Sequence, residues 1–270
     1  MSSEADKDYG LLSRTSGIEE TRDPRLQRHL PVTAAFGWLG AGLRDLIASP
    51  VPSLAYGFVV FAISAFFSWL LISFRLDYLF FPALAGFMIV GPILAIGLYE
   101  VSRAREEGRR LALAEMVAFR PYSIAQVFFA GLLLCMLLLL WMRAAVLIYA
   151  LFFGYTNFPG LDRIVPLLLG TPSGWGMIVT GSIVGALFAA FAFATSVFSI
   201  PMLVKERSDI LTAAGTSISM VWNNLPVMIA WGAIVLVLFA ISVMTAFLGL
   251  IVVFPLLGYG TWHAYRSVRG

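Results

Sequence analysis

The fold is decided by the stretch Leu225–Trp262, LPVMIAWGAIVLVLFAISVMTAFLGLIVVFPLLGYGTW, which runs for 38 residues without a charged side chain. As a single helix it would be about 57 Å long, whereas roughly 20 apolar residues suffice to cross about 30 Å of hydrocarbon. The stretch must therefore fold back on itself, and we predict the turn near Met244–Gly249. Two consecutive membrane spans with almost no loop follow from this one segment.

Four further uncharged runs of spanning length precede it: Leu54–Phe74, Tyr78–Leu98, Tyr122–Met142 and Trp175–Val204. Of the 270 residues, 60% are hydrophobic and 12% are charged, whereas a soluble domain carries about 25% charged residues. This composition excludes a soluble enzyme, a nucleic-acid-binding module and a disordered chain. It predicts an all-α polytopic membrane protein with six transmembrane helices arranged as three hairpins.

The basic residues predict the orientation of these helices. Fifteen of the 18 Lys and Arg residues precede the first span, follow the last, or lie in the loops after the second and fourth spans. Cytoplasmic loops carry such an excess of Lys and Arg. We therefore predict a bacterial inner-membrane protein with both termini in the cytoplasm. Residues 1–33 are polar and are predicted to be a disordered tail ahead of a six-helix domain over 34–270.

Three segments share one pattern, which predicts an internal repeat with units of about 36–105, 111–208 and 210–268. Each unit begins with a short amphipathic helix on the cytoplasmic side, followed by a proline-marked break and a hairpin. These helices are predicted at Phe36–Ile47, Leu111–Phe119 and Ile210–Trp222. These helices either lie flat on the inner leaflet or cap the bundle. The apolar face of the first helix is formed by Phe36, Leu39, Leu43, Leu46 and Ile47.

The second span of each unit carries a proline about two turns before its cytoplasmic end: Pro92, Pro201 and Pro255. Proline removes one backbone hydrogen bond and can kink a helix. We therefore predict helix kinks at these three positions.

Three stretches resemble a bacterial integral-membrane family, domain of unknown function 2189: FGWLGAGLRDLIASPVPSLAYG (Phe36–Gly57), PILAIGLYEVSR (Pro92–Arg103) and DILTAAGTSISMVWNNLPVMIAW (Asp209–Trp231). The resemblance covers roughly residues 36–265. It implies six spans and an inner-membrane location, and it implies no established activity. Some relatives carry a label linking them to cytochrome c oxidase.

The sequence offers little for catalysis or cofactor binding. Its two histidines, His29 and His263, both lie at or beyond the predicted cytoplasmic boundary, so no haem ligand is available at membrane depth. No Asp or Glu lies well inside a span, which argues against proton-coupled transport. The loose candidates for a catalytic set are Glu100, Glu206, Asp209 and His263. We predict no enzyme activity, no cofactor and no metal.

Charged residues at the predicted inner boundary are predicted to form solvent-exposed ion pairs that contribute little to stability. These pairs are Glu100 with Arg103, and Glu106-Glu107 with Arg109-Arg110. Arg143 lies near the predicted outer surface, where its long side chain can reach the headgroups; we consider it a candidate contact for a lipid or an anion. The stretch Ala144–Gly174 is predicted as an outer loop.

The fourth span carries small residues at helical spacing, Gly181, Gly185 and Ala189. Small residues let two helix backbones approach closely. They are predicted to serve packing inside the bundle, or contact with a partner subunit or a second copy.

The favoured function is a non-catalytic membrane protein: an accessory, assembly or scaffold subunit of an inner-membrane complex, or a lipid-organising protein. The alternative is a transporter or channel for a neutral or amphipathic small molecule or lipid, because proline-broken spans can open backbone groups toward a central path. The expected partners are membrane lipids, a membrane complex (a respiratory complex included) or a second copy of the chain, and no nucleic acid.

Overall fold

The structure is a computed structural model that describes residues 28, 30–109, 115–116, 124–154 and 159–269. Within these residues all regular secondary structure is helical. The helices are α1 (Ala34–Ala48), α2 (Pro50–Ser73), α3 (Phe80–Leu94), α4 (Ile96–Glu106), α5 (Ile124–Phe153), α6 (Leu161–Gly170), α7 (Pro172–Ser196), α8 (Ser199–Lys205), α9 (Ile210–Asn223), α10 (Leu225–Met244) and α11 (Leu250–Arg269). A 3₁₀ turn at Asp77–Leu79 leads into α3. The predicted tail lies almost wholly outside the described residues.

Five of the described helical segments are long and apolar enough to cross a membrane: α2, α3 with α4, α5, α7 with α8, and α10. The sixth predicted span corresponds to α11, which has 20 residues but ends in a polar half containing His263, Arg266 and Arg269. Six spans and the hairpin arrangement therefore stay predictions. The chain does turn between Met244 and Leu250, and Ala246 and Phe247 take left-handed backbone angles there.

The predicted outer loop contains two helices instead. Helix α5 continues past Met142 to Phe153, so Arg143 lies within a helix of 30 residues. Helix α6 then occupies Leu161–Gly170. The apolar run continues past Arg143 and extends the third predicted span to Phe153, so the segment between this helix and α7 is shorter than Ala144–Gly174 and contains α6.

Helix α11 lies along α1 and α2, and bare backbone makes this close approach possible. A Cβ atom built on Gly42 of α1 would lie 2.7 Å from the carbonyl oxygen of Leu256 and 2.8 Å from the nitrogen of Gly260. A Cβ on Gly57 of α2 would collide with the backbone of Ile251. Glycines at two successive levels therefore let the α1–α2 segment pack against α11 from end to end.

Helix α1 is apolar on more than the predicted face. Phe36 and Ile47 of the predicted face are 64% and 66% exposed, whereas Ala35, Trp38 and Gly42 are buried against the bundle. The exposed stripe is free to contact the membrane while the other side packs on α11. The two alternatives for this helix, bundle cap and membrane contact, are therefore compatible with each other.

The segments that begin the three predicted units pack in a cyclic order. Helix α1 packs on α11 of the last unit, and α9 packs on α7 and α8 of the middle unit. The predicted helix Leu111–Phe119 lies outside the described residues except at Glu115 and Met116, which are helical. The Met116 carbonyl oxygen lies against α4 of the first unit at Gly97. Each unit thus contacts the unit before it through its opening segment; the repeat boundaries themselves stay a prediction.

Two of the three prolines lie next to interruptions. The break between α3 and α4 falls at Ala95, three residues after Pro92, and the hydroxyl of Tyr56 donates to the Leu94 carbonyl oxygen at 2.6 Å. The break between α7 and α8 falls at residues 197–198, ahead of Pro201. Pro255 lies inside the continuous helix α11.

The second break is held open by a serine from α9. An unbroken helix would pair the Phe198 N–H with the Ala194 carbonyl oxygen. Here Ser217 takes both places, because its hydroxyl donates to the Ala194 oxygen at 2.7 Å and accepts from the Phe198 N–H at 3.1 Å. Ser217 itself is fully buried, so water does not substitute for it.

Replacing Ser217 with alanine is expected to lower the free energy of unfolding by about 2 kcal/mol, because two buried backbone groups lose their partner. The measurement is unfolding by SDS in mixed micelles. Ser219→Ala, two residues along the same helix on a half-buried side chain, is the matched control and should change little. Equal stability of the two variants would mean that Phe198 and Ala194 close their own helical bond once Ser217 is gone.

Candidate functional site

A cavity lies between the broken helices at the centre of the described bundle. It is lined by α3 with α4, α7, α10 and α11, has a volume of about 130 Å³ and is partly open to the surroundings. Pro92 and Ala95 at the first helix break belong to its wall, as do Ser196 and Val197 at the second. Both breaks therefore border the same space.

The wall of this cavity is apolar and aromatic. Phe87 of α3 stacks on Phe239 of α10 with ring centroids 5.3 Å apart, and it meets Phe254 of α11 edge to face at 6.1 Å. All three line the cavity. No charged side chain belongs to the described lining. An apolar molecule fits such a wall, whereas an ion would lose its hydration there without compensation.

The polar groups of the wall are few. Ser196 donates its hydroxyl to the Ala192 carbonyl oxygen at 2.7 Å, so its hydrogen is already used. Trp231 of α10 is fully buried, and its indole N–H has no hydrogen-bond partner among the described residues. Thr261 and Tyr99 complete the polar part of the lining.

The small residues predicted for packing do not share one contact. A Cβ on Gly181 would meet nothing within 4 Å, so this position is open on the surface of the described bundle. A Cβ on Gly185 would lie 3.1 Å from the ring of Trp141, which places Gly185 in the α5–α7 contact. Ala189 is exposed and also lines the cavity, so the cavity is open on this side of α7.

Arg143 is exposed, and within the described part of the chain no ion pair or hydrogen bond involves its side chain. Its role as a lipid or anion contact stays a prediction.

A second cluster lies where α1, α4, α8 and α11 meet, and we call this the basic end. Asp45 of α1 is its centre and is 7% exposed. Its carboxylate accepts from the Ser102 hydroxyl at 2.6 Å and pairs with Arg105 at 2.8 Å, while His263 Nε2 lies 2.8 Å away. Burial raises the pKa of Asp45, but the hydrogen bonds from His263 and Ser102 together with the charge of Arg105 outweigh it, and the pKa is lowered overall.

The Glu100–Arg103 pair differs from the solvated pair predicted from sequence. The Glu100 side chain is buried rather than solvated, and it accepts two hydrogen bonds from Arg103 at 2.6 and 2.8 Å. The prediction was wrong here because the other helices of the bundle cover the end of α4. Glu107 and Arg109 are both about half exposed and do form a surface pair at 2.6 Å.

Two further acidic residues lie beyond α8, and each contacts a different helix. Glu206 accepts from the Tyr265 hydroxyl at 2.6 Å and pairs with Arg269 at 2.9 Å. Burial raises the pKa of Glu206, and the hydrogen bonds and charge of Arg269 and Tyr265 lower it by more. Asp209 instead caps α9 by accepting from the Thr212 N–H at 2.9 Å.

The four loose catalytic candidates thus belong to separate structural pairs. Glu100, Glu206 and Asp209 each have their own partners, and His263 belongs with Asp45. Among the described residues no three His, Cys, Asp or Glu side chains are placed to hold a metal ion. The sequence reasoning missed Asp45; its spacing of seven residues from Trp38, two turns along the same helix face, is the signal that could have found it.

The helical bundle with five apolar helices of spanning length is that of an integral membrane protein. Residues 79–205 match the family model of domain of unknown function 2189, described as a predicted integral membrane protein. This confirms the family resemblance over that stretch, which includes Pro92–Arg103, both helix breaks and part of the cavity wall. No curated protein and no solved structure matches the chain.

Proposed function

We propose that this protein is a non-catalytic inner-membrane protein that binds an apolar or amphipathic membrane molecule in its central cavity and so organises lipid. The observation that carries the proposal is the cavity itself. Its described wall is aromatic and aliphatic, has no charged side chain, and is open beside Ala189 on a membrane-length helix. Lipid chains are the apolar molecules that such an opening meets first.

The proposed orientation places the basic end in the cytoplasm, with both chain termini on that side. Its support is the distribution of Lys and Arg, since Arg103, Arg105, Arg266 and Arg269 gather at one end of the bundle through their ion pairs. Reporter fusions at both termini and in the α10–α11 turn test it.

The positions and partners of the buried charged groups support a non-catalytic function. The buried acids Asp45 and Glu100 are held by arginine and serine partners at the basic end rather than facing the cavity. A hydrolytic or redox site needs titratable or metal-binding groups beside its substrate. The lining of this cavity supplies hydroxyls and an indole instead.

The second candidate function is a transporter of an amphipathic molecule or lipid. One observation favours it: the two helix breaks border the cavity, and carriers typically bind their substrate beside broken helices. Lipid-translocation assays in liposomes separate the two, because a lipid-organising protein retains lipid without moving it between leaflets.

Filling the cavity tests the proposal. Ala189→Phe should lower the amount of lipid retained by the purified protein in native mass spectrometry by several-fold, because the ring occupies the open side of the cavity. Ala190→Phe is the matched control: Ala190 is also exposed on the same helix but does not line the cavity. The protein should be prepared in nanodiscs at native expression.

Two results would contradict the proposal. Equal lipid retention by both variants and the wild type would show that lipid binds elsewhere. A stoichiometric protein partner without retained lipid would instead identify an accessory or assembly subunit, and the open surface around Gly181 would be the first contact to mutate.

A further inference from the structure

We infer that α1 and α9 together form a surface that inserts into loosely packed lipid in the leaflet at the basic end, so that the protein concentrates where this leaflet is convex. This surface is separate from the cavity and goes beyond the proposed function. Three features of the two helices carry the inference: a shared pattern of exposed residues, a position along one face of the bundle, and little exposed charge.

The two helices expose the same pattern of residues. In each, three bulky apolar side chains at intervals of seven and four residues are between 39% and 77% exposed. A glycine lies between the first two, and a Cβ built on it would meet nothing within 4 Å. With about 3.6 residues per turn, all four positions fall on one face, which we call the apolar stripe. The stripes consist of Phe36, Gly40, Leu43 and Ile47 in α1, and of Leu211, Gly215, Ile218 and Trp222 in α9.

Each helix has two further sides at matching positions. One side packs on the bundle, where Trp38 of α1 and Ala213 of α9 are buried. The other side carries polar residues that are exposed, Arg44 in α1 and Thr212 in α9. A helix at a membrane surface meets protein, lipid and water on three different sides, and this division of residues matches that position.

Helix α1 lies along the basic end. Near its first turn, Nε1 of Trp38 donates to the Ser267 hydroxyl at 3.0 Å, close to the end of α11. Its own end is separated from α2 by Ser49 alone. Because α2 and α11 are antiparallel, the beginning of α2 and the end of α11 lie on the same side of the membrane. Helix α1 therefore joins two points on one membrane face and does not cross the bilayer.

Helix α9 lies along the same face. At its beginning, the Ile210 N–H donates to Oε1 of Gln126, the third residue of α5, at 2.9 Å. At its end, Asn224 alone separates it from α10. The chain crosses the membrane with α5 and returns with α7 before it reaches α9, so α5 and α10 begin on the same side. A helix that joins these two beginnings runs along the membrane surface.

Lipid is the partner that such a surface fits. Each stripe is continuous with the outward surface of the membrane-length helix that follows it, since Val51 of α2 is 77% exposed and Ile229 of α10 is 62% exposed. None of the described residues covers either stripe. Side chains as apolar as these at the headgroup level are buried by entering the boundary between headgroups and acyl chains.

The charges of the two helices favour recognition of lipid packing over recognition of anionic headgroups. Helix α9 has no charged residue, and Arg44 is the one exposed charge of α1, since Asp45 is buried. Insertion therefore depends on the apolar area of the stripes. Convex bending spreads the headgroups and exposes acyl chains to water, so filling these gaps with apolar side chains is more favourable there than in a flat leaflet.

The test measures where the full-length protein collects among phosphatidylcholine vesicles of mixed size. A C-terminal tag is labelled from outside with a membrane-impermeant dye, so that only chains whose basic end lies in the convex outer leaflet are counted. Protein density is then measured on single vesicles. We expect the smallest vesicles to carry about threefold more protein per unit area than the largest.

A double variant tests the stripes themselves. Leu43→Ser combined with Ile218→Ser, at equivalent positions of the two helices, should remove most of this enrichment. Ile63→Ser combined with Leu236→Ser is the matched control. It makes the same two changes at exposed residues of the membrane-length helices α2 and α10, and it should keep the enrichment.

Equal density of the wild type on vesicles of all sizes would overturn the inference. So would enrichment that survives the stripe variant, because the shape of the bundle would then cause it. Enrichment that needs anionic lipid and disappears in high salt would overturn it as well. The wild-type measurement requires no variant, so a variant that fails to fold does not remove the test. Ala189→Phe acts on the cavity and should leave the enrichment unchanged, so this inference and the proposed function can fail separately.

Discussion

Replacing Gly42 with alanine is expected to lower the free energy of unfolding by about 3 kcal/mol, at the upper end of what overpacking costs. The added methyl group would lie 2.7 Å from the Leu256 carbonyl oxygen and 2.8 Å from the Gly260 nitrogen. Both are backbone atoms, so no side chain can rotate aside and α1 has to move away from α11. Unfolding by SDS in mixed micelles measures the change.

Gly40→Ala is the matched control on the same helix, and its effect should have the opposite sign. A Cβ at Gly40 meets nothing within 4 Å. Alanine there is expected to stabilise α1 by about 0.5–1 kcal/mol, because glycine loses more backbone freedom on entering a helix. Equal effects of the two substitutions would show that α1 does not lie against α11 in the membrane.

This contact matters for the cavity as well as for stability. Trp38 lies on the face of α1 that Gly42 brings against α11, and Trp38 packs on Trp231 in the cavity wall. Moving α1 outward would take away the Trp38 ring that packs on Trp231 and so loosen the cavity wall. Gly42→Ala should therefore reduce lipid retention together with stability, whereas Gly40→Ala should leave retention unchanged.

The membrane helices could be predicted from sequence because hydropathy acts over many residues at once. The 38-residue uncharged stretch required a turn near Met244–Gly249, and the turn between α10 and α11 lies there. Pro92 lies three residues before one helix break and Pro201 lies just after the other, so proline marks the neighbourhood of both breaks in the sequence. Proline does not mark a helix break at Pro255, because α11 is continuous across this residue.

The cavity and the basic end could not be predicted because they depend on how distant segments meet. Nothing around Ser217 indicates that it replaces a helical bond 19 residues earlier in the chain. The apolar stripe of α1 left open whether it meets lipid or the bundle; Phe36 and Ile47 are exposed, whereas Asp45 on the same helix is covered. Gly42 and Gly260 determine which side of α1 is buried, because the close contact between their backbones turns the Gly42 side of α1 toward α11.

Removing the carboxylate of Asp45 is expected to destabilise the protein by about 3 kcal/mol in the Asp45→Ala variant at neutral pH. The side chain is 7% exposed, and its loss leaves Ser102, Arg105 and His263 without their shared acceptor. Breaking a buried charged pair by deleting one partner typically costs 3–5 kcal/mol, and Arg105 recovers part of that because it is 41% exposed. Glu107→Ala, on a carboxylate that is half exposed, is the control and should have a much smaller effect.

The pH dependence of this effect follows from the lowered pKa of Asp45. A carboxyl group whose folded-state pKa lies below its unfolded value of about 3.9 stabilises the fold above that value, and the contribution is lost as the pH falls through the folded pKa. The stability difference between wild type and Asp45→Asn should therefore begin to shrink below about pH 4, where the unfolded chain takes up the proton, and the loss is complete only below the folded-state pKa, where the native group is protonated as well. Glu206 shifts in the same direction, so the wild type alone will also weaken in acid, and only the difference between the two proteins isolates Asp45. A difference that persists unchanged at pH 3 would mean that Asp45 does not act through its charge, and that α1 is held against α4 and α11 by packing alone.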